Sequence, residues 1–268
     1  MNLQEEQTYY IDTNLTQDKV ITSCSDMKIR IYDVKETGLV FINELVAHEA
    51  PVTCAIFLGE SNMIASVDDK SNLILWKIEN GKYIKKLNIK IFSGSTSALS
   101  YSGEKEINIY AGCSDGRIRK IILDNTLGYK IEEYYAHNYG VCVISSNNKF
   151  IVSGGNDNKI VLWDNKMNKI EEFIDHDNYI RAAVLAPEND FDILCFASCG
   201  EDKKCIIYTK EGEEKIKKQI IELDKECYTL AWSKCGFALT VGYGENEVKT
   251  FMPNNDGEFK SVDMEKVN

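Results

Sequence analysis

Apolar and polar positions alternate in short bursts along the chain and never settle into a sustained helical stripe. Ile29/Ile31, Leu73/Leu75, Ile160/Leu162 and Cys205/Ile207 are apolar pairs two residues apart, each just ahead of an aromatic residue. Period-two spacing places such pairs on one face of a β-strand. Between the bursts lie Asp26-Met27-Lys28, Asp115-Gly116-Arg117 and Asp157-Asn158-Lys159, the residue types that close tight hairpins. The pattern predicts an all-β chain of short antiparallel strands.

The same unit recurs six times: a short strand of small and apolar residues, a polar turn, then an alternating strand that closes on a bulky residue. Its copies run Ile21–Tyr32, Ile64–Trp76, Tyr110–Ile121, Val152–Trp163, Ala197–Tyr208 and Thr240–Phe251. Their last residues are 44, 45, 42, 45 and 43 positions apart. That period is the one at which WD repeats build four-stranded propeller blades. The chain therefore resembles that class, and the resemblance implies a six-bladed WD-repeat β-propeller folded as a single domain over residues 1–268.

The three histidines strengthen the likeness, because each stands just ahead of a repeat, in Ala47-His48, Ala136-His137 and Asp175-His176. Ten residues before the closing aromatic of each of those repeats stands a serine: Ser66, Ser153 and Ser198. The other repeats hold Thr22, Ala111 and Val241 in that slot. A histidine buried between strands needs a partner for each ring nitrogen. In WD repeats those partners are the turn aspartate and the strand serine, and the serine also meets the tryptophan N–H. Carried over by position, the resemblance implies His137, Ser153, Asp157 and Trp163 as one network, and His176, Ser198 and Asp202, with Tyr208 for tryptophan, as another. The third is His48, Ser66 and Trp76, where Lys70 fills the aspartate slot and Asp69 is the nearest acid, one residue out of register.

Three Ser–His–Asp sets invite a hydrolase reading. They are tied to the repeat, and none of the repeats that hold them carries a G-x-S-x-G elbow, so we read them as structural. No catalytic, cofactor-binding or metal-binding residues are expected. The histidines lie in three different repeats, and the nine cysteines include no C-x-x-C pair, which argues against zinc or a disulfide framework. Cys24, Cys113 and Cys199 take similar strand positions and read as reduced core residues. Lys210–Lys218 reads as a solvated loop between blades five and six.

Composition narrows the partners. With 42 acidic against 31 basic residues the net charge is −11, which disfavours phosphate backbones and anionic lipid. Only Arg30, Arg117, Arg119 and Arg181 are arginines, and they are scattered. The first residues, MNLQEEQTYY, lack a signal-peptide pattern, and no apolar run reaches membrane-spanning length. No direct nucleic-acid contact or membrane insertion is expected.

The ends of the chain make the resemblance narrower. Thr8–Asp12 can supply an inner strand and Lys19–Ser25 the next, leaving little before them to act as a closing strand. Gly257–Met264 can form the outer strand of the sixth blade from its own sequence. The expectation is an open propeller without an N-terminal clasp. SCSDMKIRIYDV, AHEAPV, ILWKIENGKY, CSDGRI, AHNYGV, SGGNDNKIVLW, EDKKCIIYTKEG and YTLAWSKCGFALTVGYGEN follow one another in the order found in the Sec-thirteen family. The chain resembles that family, the small WD-repeat subunit of the COPII outer coat, shared with the Y-shaped scaffold of the nuclear pore. The resemblance implies an open, six-bladed, non-enzymatic scaffold completed by a partner-donated seventh blade. Two partners are implied, a large COPII outer-coat subunit and a helical nucleoporin. The implied locations are the cytoplasmic face of the endoplasmic reticulum, COPII vesicles and the nuclear envelope. Tyr9, Ile11 and Ile21 in blade one and Tyr228, Leu230 and Trp232 in blade six are then the candidate interface. A peptide-binding adaptor is the competing function. The sequence lacks the clustered arginines or aromatic cage that such a reader needs.

Overall fold

The computed structural model describes residues 7–60, 63–103, 106–188 and 193–262. Every regular element among them is a β-strand, arranged as six four-stranded antiparallel sheets, and the chain is a six-bladed β-propeller. The described residues group into two compact units that divide between Tyr135 and Ala136, with three blades in each.

In the first unit, blade one is β1 (Thr8–Thr13), β2 (Lys19–Cys24), β3 (Lys28–Lys35) and β4 (Gly38–Val46). Blade two is β5 (Val52–Leu58), β6 (Met63–Asp68), β7 (Asn72–Glu79) and β8 (Lys82–Lys90). Blade three is β9 (Thr96–Ser102), β10 (Ile107–Cys113), β11 (Arg117–Leu123) and β12 (Tyr129–Tyr135). In the second unit, blade four is β13 (Val141–Ser146), β14 (Phe150–Gly155), β15 (Ile160–Asp164) and β16 (Lys169–Phe173). Blade five is β17 (Ile180–Leu185), β18 (Ile193–Gly200), β19 (Lys204–Glu211) and β20 (Lys217–Glu222). Blade six is β21 (Cys227–Trp232), β22 (Leu239–Tyr243), β23 (Glu247–Pro253) and β24 (Phe259–Val262). The strand expected over Gly257–Met264 is thus β24, and its last two residues lie outside the described ones. Lys210–Lys218 is not a loop between blades: it runs from the end of β19 through a turn into β20, inside blade five.

The core lies between blades. Ile21, Ile29, Ile31 and Leu45 of blade one pack on Phe57, Ile64, Ile74 and Trp76 of blade two, whose other face packs on blade three through Leu73, Leu75 and Ile109. In the second unit, Leu162 and Phe173 of blade four meet Phe196 and Tyr208 of blade five. The other face of blade five carries Ala197, Cys199 and Ile207 against Leu230, Val241 and Phe251 of blade six. Blades two and five therefore bury both faces, and their middle strands β6, β7, β18 and β19 run through consecutive buried residues instead of alternating. Each fully buried side chain of that size contributes about 1.5–3 kcal/mol.

A bulge stands near the start of each inner strand. The register shifts place Tyr9, Thr53, Ser97, Cys142, Arg181 and Tyr228 as the extra residues of β1, β5, β9, β13, β17 and β21. A bulge breaks the alternation and re-aims its side chain. In two blades the new direction is toward the next one. Thr53 Oγ1 donates to the Thr96 carbonyl at 2.7 Å, and Cys142 Sγ donates to the Ile180 carbonyl at 3.3 Å.

Candidate partner-docking site

Three buried polar networks hold the blades that contain histidine. His137 Nδ1 lies 2.9 Å from Asp157 Oδ1 and its Nε2 lies 3.0 Å from Ser153 Oγ. Trp163 Nε1 donates to the same hydroxyl at 3.1 Å. One proton arrangement satisfies every group: Nδ1–H donates to the carboxylate, Ser153 O–H donates to Nε2, and the serine oxygen accepts from the indole. In blade five, His176 Nδ1 is 2.9 Å from Asp202 Oδ2 and Nε2 is 2.7 Å from Ser198 Oγ. Tyr208 Oη reaches the Asp175 carboxylate at 3.2 Å. Its ring stacks on Phe196 at 4.4 Å, an apolar role that tryptophan need not fill.

Blade two departs from the sequence expectation. His48 Nε2 meets Ser66 Oγ at 2.7 Å, and Trp76 Nε1 donates to Ser66 Oγ at 2.9 Å. The acid is neither Asp69 nor anything in the Lys70 slot. It is Asp68, whose Oδ2 lies 3.1 Å from His48 Nδ1. The reason is visible in blade four, where Gly155 ends the strand as Asp68 does here. A Cβ on Gly155 would come within 2.4 Å of His137 Nδ1 and 2.6 Å of Asp157 Oδ1. Blade four keeps that position bare so the turn aspartate can reach in, whereas blade two supplies the carboxylate from the strand end itself. Asp68 and Asp157 both lie 20 residues after their histidines, whereas Asp202 lies 26 after His176, so no fixed count from histidine identifies the acid in every blade.

Two blades without histidine satisfy the turn aspartate another way. Arg30 Nη2 donates to Asp26 Oδ2 at 2.6 Å, and Arg119 Nη2 donates to Asp115 Oδ2 at 2.8 Å. Arg119 also donates to Glu133 and lies 4.1 Å over the Phe92 ring. The shared D-x-x-I-R spacing of Asp26–Arg30 and Asp115–Arg119 is the signal that marks this second solution. Blade three also contains a G-x-S-x-G string at Gly112–Gly116, but it crosses a β10–β11 hairpin with no helix behind it. Ser114 Oγ there accepts the Ser95 N–H at 3.2 Å. A nucleophile elbow needs a strand–turn–helix, so the string is a turn. No group of histidine, cysteine or acidic residues among the described ones is arranged to hold a metal.

The networks carry a pH signature. Burial, opposed by Asp68, holds His48 below the ordinary imidazole range, and burial holds His137 there against Asp157. An unfolded chain protonates both near pH 6.5 while the folded chain resists. The unfolded state then binds more protons, so stability is lost as pH falls through that value. Asp12 acts in the opposite sense, because burial pushes its carboxyl up to about 6. We expect the urea midpoint to fall between pH 7.5 and 5.5, and Asp12→Asn to make the fall steeper. A midpoint that rises over this range would contradict the assignment.

The candidate interface residues separate into two groups. Ile21 is fully buried against blade two, and Leu230 is buried against blade five. Trp232 Nε1 donates to the Val184 carbonyl of blade five at 3.2 Å, and its ring meets Phe259 edge-on. These three point inward because the strand period puts them on the packed face, so they are not available to a partner. Tyr9 lines an open hollow with Pro51, Thr53, Asp69 and Ser97 on the blade-two side. Ile11, paired with Thr22, lies on the opposite face of blade one and is 62% exposed. That face continues through Val34, Leu39, Phe41 and Val46, all exposed, with Phe41 packed edge-on against Tyr32 at 5.9 Å. Blade six has an uncovered face of its own, formed by Thr229, Ala231, Val248 and Met252. Tyr228, the bulge residue of that blade, is half-exposed, where its counterparts Thr53 and Cys142 reach the next blade.

Known proteins resemble this chain in sequence. The WD domain, G-beta repeat family matches residues 128–164, from β12 through β15. The chain is 23% identical over 282 residues to "Protein transport protein sec13" of Emericella nidulans, covering 91% of this chain and 90% of that protein. It is 24% identical over 272 residues to the protein of the same name in Yarrowia lipolytica, covering 91% of each. To "Protein SEC13 homolog" of Drosophila melanogaster it is 23% identical over 277 residues, 91% of this chain and 77% of that protein. Over nine-tenths of its length the chain is thus similar to proteins that carry the sec13 name in fungi and an insect, and its own fold is the six-bladed propeller described above.

Proposed function

We propose that this protein is a scaffold subunit in protein transport, serving the COPII coat of vesicles between endoplasmic reticulum and Golgi and also the outer ring of the nuclear pore. Its relatives carry protein transport in their names. In this reading a large coat subunit and a helical nucleoporin each donate a blade, and each is met by the uncovered faces of blades one and six. The observation that carries the proposal is the exposed apolar face of blade one. Blade two, built from the same repeat, buries both of its faces, while blade one leaves Ile11, Val34, Leu39, Phe41 and Val46 in water. An exposed apolar patch such as Val34, Leu39 and Phe41 marks an interaction site, and Lys28, Arg30 and Glu44 on the same face set charges between it and Ile11. Tyr228 supports a second contact, since its bulge position directs the side chain where a following blade would stand. The experiment is capture of the partner's blade-donating segment by the wild type and by variants that place a charge on these faces.

A further inference from the structure

In the first unit the bulge residues of three successive blades, Tyr9, Thr53 and Ser97, line one open hollow of about 390 Å³ with Pro51 and Asp69. That volume falls within the range of small-ligand sites. The hydroxyls there offer acceptors. Thr53 Oγ1 gives its proton to the Thr96 carbonyl at 2.7 Å, and Ser97 Oγ donates to the Gly112 carbonyl at 3.5 Å, which leaves their lone pairs. Asp69 adds an exposed carboxylate, and among the described residues no hydrogen bond or ion pair engages it. Blade five shows what such a carboxylate takes. Glu201 stands there as Asp69 stands in blade two, one residue past the second strand. The N–H of each donates at 2.9 Å to the residue just before the inner strand, Glu201 to the Tyr179 carbonyl and Asp69 to the Pro51 carbonyl. The bulge residue of blade five is Arg181, whose Nε donates to Glu201 Oε1 at 2.8 Å. In blade two the bulge residue is Thr53, so the acid is kept, its arginine is missing, and a hollow lies beside it.

We propose that this hollow binds an arginine side chain presented by an extended segment of a partner protein. The guanidinium takes the place that Arg181 fills in blade five and pairs with Asp69. A guanidinium carries donors only, which matches a lining of carboxylate and hydroxyl lone pairs. Its flat face also stacks on an aromatic ring, and Tyr9 brings one to the hollow. The net charge of −11 draws a basic segment toward the protein from a distance.

The hollow lies on the blade-two side of β1, away from the face that holds Ile11, so the two proposals fail separately. The test is an NMR titration of the full, isotope-labelled chain with a capped Gly-Arg-Gly peptide. The same peptide with norleucine for arginine is the control. The arginine peptide should shift the Val52–Cys54 and Asp69 amides saturably, and less tightly as salt rises. Asp69→Asn keeps the shape of the turn and should weaken binding about tenfold or more. Thr53→Arg supplies the cation from within the chain, as blade five does, and should abolish binding while circular dichroism stays unchanged. Asp69→Asn should still capture the blade-donating segment. No saturable shift at these amides, equal binding of the norleucine peptide, or undiminished binding by Asp69→Asn would overturn the proposal.

Discussion

Trp163→Ala is expected to lower stability by about 3–5 kcal/mol, with Tyr208→Ala in the same range. Trp163 is buried and its indole N–H ends on Ser153, so alanine leaves both a cavity and a hydroxyl that has lost one partner. Tyr208 is fully buried between Phe196 and Phe173, with ring centroids 4.4 and 4.8 Å away. Truncation there removes the centre of an aromatic cluster. His137→Ala should cost less, about 1–3 kcal/mol, because it orphans Asp157 and Ser153 without opening so large a void. Tyr139→Ala, on the exposed loop beside the same network, should stay within about 0.5 kcal/mol. Chemical denaturation midpoints measure all four. Equal small shifts for Trp163→Ala and Tyr139→Ala would remove the basis for treating the network as structural.

Capture of the partner segment should be lost when a charge enters either uncovered face. Ile11→Asp and Tyr228→Asp are each expected to weaken capture by about 30-fold or more, the scale of an interface hot spot. Ile11 is exposed on the uncovered face of blade one, where a carboxylate placed under a partner would have to be desolvated. Tyr228 is the large aromatic that projects from a bulge, and such residues dominate binding energy at interfaces. Tyr179→Asp is the matched control. Tyr179 is as exposed as Tyr228, at 50% against 49%, yet it stands at a blade whose two faces are already covered. Circular dichroism separates loss of binding from loss of fold. Normal capture by both charged variants would place the donated blade elsewhere.

The blade count and strand order were legible in the sequence because each blade repeats the same alternation and closing residue at nearly constant spacing. His137, Ser153, Asp157 and Trp163 were legible together for the same reason. Asp68 was not, because repeat two moves the carboxylate from the turn to the strand end, a change that positional counting from Trp76 cannot register. Ile21, Leu230 and Trp232 show a different limit. Sequence marks a strand near a terminal blade, but the register decides which face each side chain takes, and one residue of slip reverses it. Tyr9 and Tyr228 were placed by bulges, which break the alternation that the reading relied on. The arginine solution in blades one and three was present in the sequence as a repeated D-x-x-I-R string, visible only once the histidine-free repeats are compared with each other.

The central claim is that a partner covers the outer face of blade one. Hydrogen–deuterium exchange of Tyr10–Thr13 in β1, measured with and without the bound blade-donating segment, tests it most directly. β1 is an inner strand that is exposed along nearly its whole length, unlike β5, which is buried. Covering it should slow exchange there while β5 stays as it was. Unchanged exchange in β1 at full occupancy of the partner would contradict the account.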